Sequence, residues 1–477
     1  MTDITLINIS INQNFKEKVV YKHNAVGILF VASALERAGF QVSCREHLLN
    51  YQLLFQEELE GFLKLIDLDS KFIGIGCHSV HLPFVAMVSG ELKKKFPDKK
   101  IILGGVGPSA VANDLLKNFD SIDVVVIGEG EGIIIDVLKN QECLHKVNGI
   151  AYRDKDRVYV NASRLPIENL DSLAFPAYHA VDFKQYQIFV LITSRGCPFG
   201  CSFCSLTALW GRQVRYRSIE NVIQELRLLV EEYGVKHIFV GDSTFVVDKE
   251  RAMEMCRRFK SVNLDFKWEC LVRVDSMDEE LMELMKESGC IGVFYGLESG
   301  SENVLRKIKQ SLKIKKALGV IKLSLKYFTT VQVGLMWGFP FETLADFKET
   351  LKVRDYLEKD LNCEVQLRWL EPYRFTSLYR KYKNELFFPD KLSIMFDSQN
   401  VEAKLVKGRD FYLDQGRKKF GVPTDVTNVR FIIAASHTVN MCRRIIEGNS
   451  HIFCDYYRYK TFDLEEKLRL SNQYSLY

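Results

Sequence analysis

Short runs that are apolar throughout alternate with amphipathic stretches along the first 140 or so residues. Ile4–Ile9, Phe72–Cys77, Ile101–Leu103 and Val124–Ile127, with a weaker run at Phe40–Cys44, have the length and composition of strands buried on both faces. Between them Gly27–Ala38 carries apolar residues at 28, 31, 35 and 38, and Pro83–Lys95, Ser109–Asn118 and Glu131–Lys139 also read as helices. Such alternation predicts a doubly wound parallel sheet, whose ligands lie at the carboxyl ends of the strands.

The pattern changes between Val147 and about Asp182. Residues 148–153 and 158–160 flank a charged turn and predict a small hairpin, and Leu170–Tyr178 reads as an extended connector. From Ile188 the alternation resumes on a longer period. Strands are expected at Ile188–Thr193, His237–Val240, Phe266–Val272, Gly292–Leu297, Val331–Met336 and Val365–Trp369. Helices are expected at Ile219–Tyr233, Lys249–Phe259, Glu279–Glu287, Ser301–Ile308, Ile314–Leu325 and Leu344–Glu358. Six consecutive βα units predict an α/β sheet wound one way and closed, or partly closed, into a barrel. Beyond Pro372 the periodicity weakens, although Val429–Glu447 and Leu464–Leu470 read as helices in a mostly helical tail. The expected divisions are 1–140, 141–185, 186–372 and 373–477, the last without a legible role.

A chain of 477 residues is about three domains' worth of material. Its 47% hydrophobic and 26% charged content is that of a globular protein with several cores and excludes a disordered or fibrous chain. Sixty-five basic residues against 61 acidic ones leave +4, too little for charge-driven nucleic-acid binding. No basic start with an apolar run follows Met1, and no apolar stretch reaches membrane-spanning length. A cytoplasmic protein without a membrane span or nucleic-acid partner is expected.

Twelve cysteines are too sparse for a disulfide scaffold. Nine stand singly among apolar residues, at 44, 77, 143, 256, 270, 290, 363, 442 and 454, and read as small buried hydrophobes. Cys197, Cys201 and Cys204 instead share a glycine-bearing loop after a strand, spaced C-x3-C-x2-C. Structural zinc takes four protein ligands, and no fourth Cys or His is near. An iron–sulfur cube held by three thiolates keeps one iron open to a cosubstrate. A closed zinc site or four-cysteine cluster with a distant fourth ligand is the structural alternative. Two further loops, Gly104–Ser109 and Gly128–Gly132, end adjacent strands and open helices. Either one alone is as readily a tight turn, but together they favour a nucleotide-like ligand.

With Phe203 just before the third cysteine and six βα units around it, residues 186–372 resemble the radical S-adenosylmethionine (SAM) superfamily. The resemblance implies a [4Fe–4S] cluster on Cys197, Cys201 and Cys204 whose open iron holds SAM. Reductive cleavage of SAM would give a 5′-deoxyadenosyl radical. By position, the resemblance also implies SAM contacts at Phe203, Asp242 (methionyl amino group), Arg273 (methionyl carboxylate), Glu298, Ser299 and the Gly334 strand. Phe341 stands where relatives more often have Gly.

The first domain in turn resembles the cobalamin-binding domain of B12-dependent radical SAM enzymes. Cobalamin contacts are then expected at Ser79, Val80, Gly104, Gly105, Gly107, Ser109, Gly128, Glu129, Gly130 and Glu131. No Asp-x-His-x-x-Gly occurs, so a histidine below the cobalt is not carried over. His78 and His81 are expected as loop histidines bonded to backbone or corrin amides rather than as cobalt ligands.

The resemblance implies a methyltransferase that uses methylcobalamin and the radical on an unactivated carbon, with flavodoxin or ferredoxin as electron donor and a small molecule or peptide as substrate. Radical cyclisation, oxidation or rearrangement is the alternative. Methylthio transfer and a non-enzymatic B12 or redox sensor are weaker ones.

Overall fold

The apolar runs of the first third of the chain assemble into one seven-stranded sheet in the computed structural model, which describes residues 2–11, 24–49, 55–308, 312–371, 373–387 and 458–459. Its strands are β1 (Ile4–Ile11), β2 (Val42–Leu49), β3 (Phe72–Gly76), β4 (Lys100–Gly104), β5 (Val124–Val126), β6 (Ile150–Asp154) and β7 (Arg157–Val160). They lie in the order β2-β1-β3-β4-β5-β6-β7. The first five are parallel, as expected. The expected hairpin β6-β7 adds antiparallel strands to β5 and so extends the sheet past residue 140.

Two helices, α1 (Val26–Arg37) and α6 (Gly130–Lys139), cover one face of the sheet. The opposite face meets α2 (Phe55–Leu63), α3 (Leu82–Lys95) and α5 (Ala112–Asn118). The helix expected at Ser109–Asn118 is broken: α4 (Val106–Ala110) ends at Val111, whose φ of −134° leaves the helical region, and α5 begins after it. The α1/α6 face does not close on itself. Leu29, Ile133 and Val137 share a core with Ala177, Tyr178 and Phe189, so apolar packing runs unbroken from the first domain through the connector into the second.

The second domain begins with β8 (Phe189–Leu191) and the short antiparallel pair β9 (Ser194–Arg195) and β10 (Arg215–Tyr216). It continues with β11 (His237–Val240), β12 (Lys267–Val272), β13 (Cys290–Glu298), β14 (Thr330–Trp337) and β15 (Glu364–Trp369). Six strands form a parallel sheet in the order β15-β14-β13-β12-β11-β8, each bordering its neighbour in sequence as βα winding requires. The helices start on side-chain caps: Ser218 before α7 (Ile219–Arg227), Asp248 before α8 (Lys249–Ser261) and Asp278 before α9 (Glu279–Glu287). Before α10 (Leu344–Asp355), Thr343 and Asp346 form a reciprocal capping box. The expected tail helices lie outside the described residues, as do Cys442 and Cys454.

Candidate functional site

The carboxyl ends of the first sheet face the barrel mouth across a cavity of about 430 Å³. One wall is Asn8 of β1, the Gly76–His78 turn, the Gly104–Val106 turn and the Gly128–Glu131 loop. The other wall is Ser194, Arg195, Trp210, Gly241 and Ser243. The cavity lies where strand order reverses between β1 and β3, the position a doubly wound sheet offers a ligand.

Two of the expected glycines are required by close approach. A Cβ on Gly105, whose φ is +99°, would stand 2.7 Å from the Cys77 carbonyl oxygen, and one on Gly107 would stand 2.6 Å from His78 carbonyl carbon. The loops after β3 and β4 thus touch backbone to backbone and form a continuous cradle. Ser109 is committed elsewhere: its Oγ donates to the Val126 carbonyl and accepts from Gly128 N–H, tying this loop to the next. Ser79 lies in a single 3-10 turn with Val80, whose side chain is outside the description.

Glu129 and Glu131 line the cavity, as expected of ligand contacts, and also reach across to the barrel. Glu129 accepts from Arg195 at 3.0 Å, from Arg215 at 2.9 Å and from Ile167 N–H at 2.6 Å, and Glu131 accepts from Arg195 at 2.5 Å. All four side chains are about 95% buried, and the Arg195 guanidinium lies over the Phe30 and Trp210 rings. Burial pushes the Glu129 carboxyl up, but its bonds to Arg215, Ile167 and Arg195 win and hold it below the usual carboxylate range. Neither arginine nor Trp210 was expected at the site. The available signal was Arg195 itself, which sits beside Gly196 and Cys197 in a glycine loop.

The cysteine loop is closed at its base by the β9-β10 pair. Gly196 has φ +102°, and a Cβ there would stand 2.1 Å from the Gln213 carbonyl oxygen, so this position admits only glycine. Cys197 N–H reaches Gly211, and Cys204 N–H reaches Cys201. The three thiols are partly buried, whereas Cys44, Cys77, Cys256, Cys270, Cys290 and Cys363 are buried, in keeping with a structural role. Burial pushes the Cys204 thiol up, with Cys197 and Glu298 adding to the effect. Among the described residues no three His, Cys, Asp or Glu side chains group around a single-ion site. Cysteines of a cube each take a different iron, so they need spread thiols rather than a shared point. Three partly buried thiols in one loop are a donor set that fits such a cluster.

The residues expected to hold SAM fall into two groups. Arg273 lies 3.9 Å over the Phe199 ring, inside the cysteine loop, and its guanidinium is bidentate to Asp275. Phe203 meets Phe339 edge to face. Glu298 ends β13 at φ +73°, where the β13–β14 register shifts, and its charge reaches Cys204. Gly334 leaves room for the Phe294 ring. Two polar groups, however, already carry hydrogen bonds within the fold. Asp242 Oδ1 accepts from Thr193 and Ser194 N–H, and Oδ2 from both hydroxyls, at 2.5–3.0 Å. Ser299 is fully buried against Thr350. At the end of β11 it is Gly241 and Ser243 that line the cavity.

Neither the His78 nor the His81 side chain bonds to backbone among the described residues. Both ring nitrogens of buried His81 lack a partner, and His78 makes no hydrogen bond to a described residue, only an edge-to-face contact with Tyr373 at 5.7 Å.

Comparison with known proteins matches residues 15–138 to the B12 binding domain and residues 191–353 to the Radical SAM superfamily. The chain joins a B12-binding domain to a radical SAM domain. Over 287 residues it is 32% identical to an uncharacterised methyltransferase of Pyrococcus horikoshii, which spans 58% of the chain and 62% of that protein. It is 28% identical over 317 residues to an anaerobic magnesium-protoporphyrin IX monomethyl ester cyclase of Synechocystis, covering 64% of the chain and 62% of the cyclase. The chain thus spans less than two thirds of these relatives. In fold it is similar to the radical SAM methyltransferase TsrM of Kitasatospora setae, solved with cobalamin and a [4Fe–4S] cluster, at TM-score 0.65 and 15% identity over 81% of this chain and 77% of that one.

The cofactors of this domain pair are cobalamin, a [4Fe–4S] cluster and SAM. The glycine cradle fits the first and the three partly buried thiols fit the second. No helix of the described residues is long and apolar enough to cross a membrane.

Proposed function

We propose that this protein methylates an unactivated carbon of a small-molecule or peptide substrate, drawing electrons from an external flavodoxin or ferredoxin. The observation that carries the reading is that the B12-binding loops and the strand leading to the cluster cysteines wall one cavity and are joined there by Glu129, Glu131, Arg195 and Arg215. When bound, the cluster and SAM supply a hydrogen-abstracting radical, and cobalamin supplies the methyl carrier. The chain's own contribution is placement and shielding. Gly196 and the β9-β10 pair set the cysteine loop, Asp242 braces the strand end before it, and Leu6, Ile9, Phe30 and Leu209 keep the cavity wall apolar.

The likeness to a cyclase supports a second reading, in which the same cofactors serve a ring closure or rearrangement without methyl transfer. Reduced, reconstituted protein given cobalamin and methyl-labelled SAM separates the two. Methyl transfer predicts label in the cobalamin fraction together with S-adenosylhomocysteine and 5′-deoxyadenosine. Formation of 5′-deoxyadenosine with unlabelled cobalamin favours the second reading.

A further inference from the structure

The loop that follows β3 places an imidazole where the B12-binding wall of the cavity meets its ligand. His78 lines the cavity beside Gly104 and Gly105. Its backbone cannot retreat, because Gly107 passes so close that a Cβ there would meet His78 carbonyl carbon and Ser79 nitrogen at 2.6 Å. Its ring is held edge-on by Tyr373, 5.7 Å away at 84°, whose hydroxyl donates to Glu371. The imidazole makes no hydrogen bond to a described residue, so among these residues neither ring nitrogen is committed.

Burial pushes the His78 imidazole down, with Glu371 opposing, a direction that favours the form with a free lone pair. A neutral imidazole is a good ligand for a first-row transition metal ion. His81 makes the contrast: its pKa is pushed down to about 3 by burial and by His78, and it too lacks partners, yet it is not part of the cavity wall.

We propose that His78 coordinates the lower face of the cobalt of bound cobalamin, without the Asp-x-His-x-x-Gly motif. The proposal rests on the reading of this cavity as the cobalamin site. A planar corrin between the two walls turns one face to the B12-binding loops, where His78 stands, and the other to the barrel. Coordination is donation of the imidazole lone pair, with no change of oxidation state.

The test is the electron paramagnetic resonance spectrum of the full chain loaded with cob(II)alamin. An axial nitrogen splits each cobalt line into a triplet. If that nitrogen belongs to histidine, the triplet becomes a doublet in protein labelled with 15N-histidine, which needs no variant. His78→Ala should keep cobalamin bound and lose the splitting, and His81→Ala should keep both. Bound cobalamin without splitting, or a triplet unchanged by the label and so due to the cofactor's own base, overturns the assignment while leaving the B12 reading intact. Absence of bound cobalamin in the wild-type chain overturns both.

Discussion

The Arg195 guanidinium, two residues before the first cluster cysteine, donates across the domain boundary to the Glu129 carboxylate at 3.0 Å. Removing one partner of a buried pair leaves the other charge without compensation, at a cost of about 3–5 kcal/mol. Glu129→Gln should therefore lower the unfolding midpoint in urea markedly, because both Arg195 and Arg215 lose the anion they share. The same pair gives acid sensitivity. The folded Glu129 carboxyl lies below its unfolded value, so its contribution is present above the ordinary carboxylate pKa of about 4.3 and is lost as pH falls through the folded value. Wild type should lose more stability than Glu129→Gln between neutral and acid pH. An equal loss in the two proteins would assign the acid effect to other groups.

Gly196 sets the cysteine loop through backbone alone. With φ +102° and the Gln213 carbonyl oxygen 2.1 Å from any Cβ, Gly196→Ala has to open the β9-β10 closure. Iron per chain after anaerobic reconstitution should fall from near four towards zero. Cobalamin binding should persist, because the glycine cradle lies on the other wall. Full iron content in Gly196→Ala would show that the closure does not organise the cluster.

Gly107 gives the reciprocal result. Its Cβ would collide with the His78–Ser79 backbone, which cannot move as a flexible side chain would. Gly107→Ala should lower cobalamin per chain several-fold and leave iron content unchanged. Loss of both together would point to general unfolding rather than to the cradle.

These contrasts mark what was legible in the chain. The barrel strands were readable because each is an apolar run between amphipathic helices, and the cysteine loop because its spacing is local. The edge strand β2 was only partly readable: Glu46 and His47 make it look polar, yet His47 is buried on Glu58 at 2.7 Å and Glu46 meets the Tyr186 hydroxyl. The ion pairs of Glu129 and Glu131 with the barrel arginines were not readable at all. An acidic residue in a glycine loop looks like a ligand contact, and its partner Arg195 lies more than 60 positions away, with no local pattern linking them. The setting of Asp242 was hidden for a related reason: sequence position puts it at the strand end but says nothing of the four donors that meet it.

Asp242 therefore offers a test between brace and cosubstrate contact. Oδ1 takes the Thr193 and Ser194 N–H groups, which can only donate, whereas Oδ2 takes two hydroxyls, which can rotate and accept. Asn at this position keeps a carbonyl oxygen for the N–H pair and offers its NH₂ to the reversed hydroxyls, so Asp242→Asn should cost less than about 1 kcal/mol. Asp242→Ala strands two buried N–H groups at about 1–3 kcal/mol each and should be far less stable. Burial pushes this carboxyl up against the pull of its hydrogen bonds from Thr193 and Ser194. If Asp242 acts as a brace, SAM affinity measured by isothermal titration should be nearly unchanged in Asp242→Asn and should fall in Asp242→Ala alongside stability. If its charge instead meets the methionyl amino group, Asp242→Asn should lose SAM affinity at least tenfold while unfolding at the wild-type midpoint.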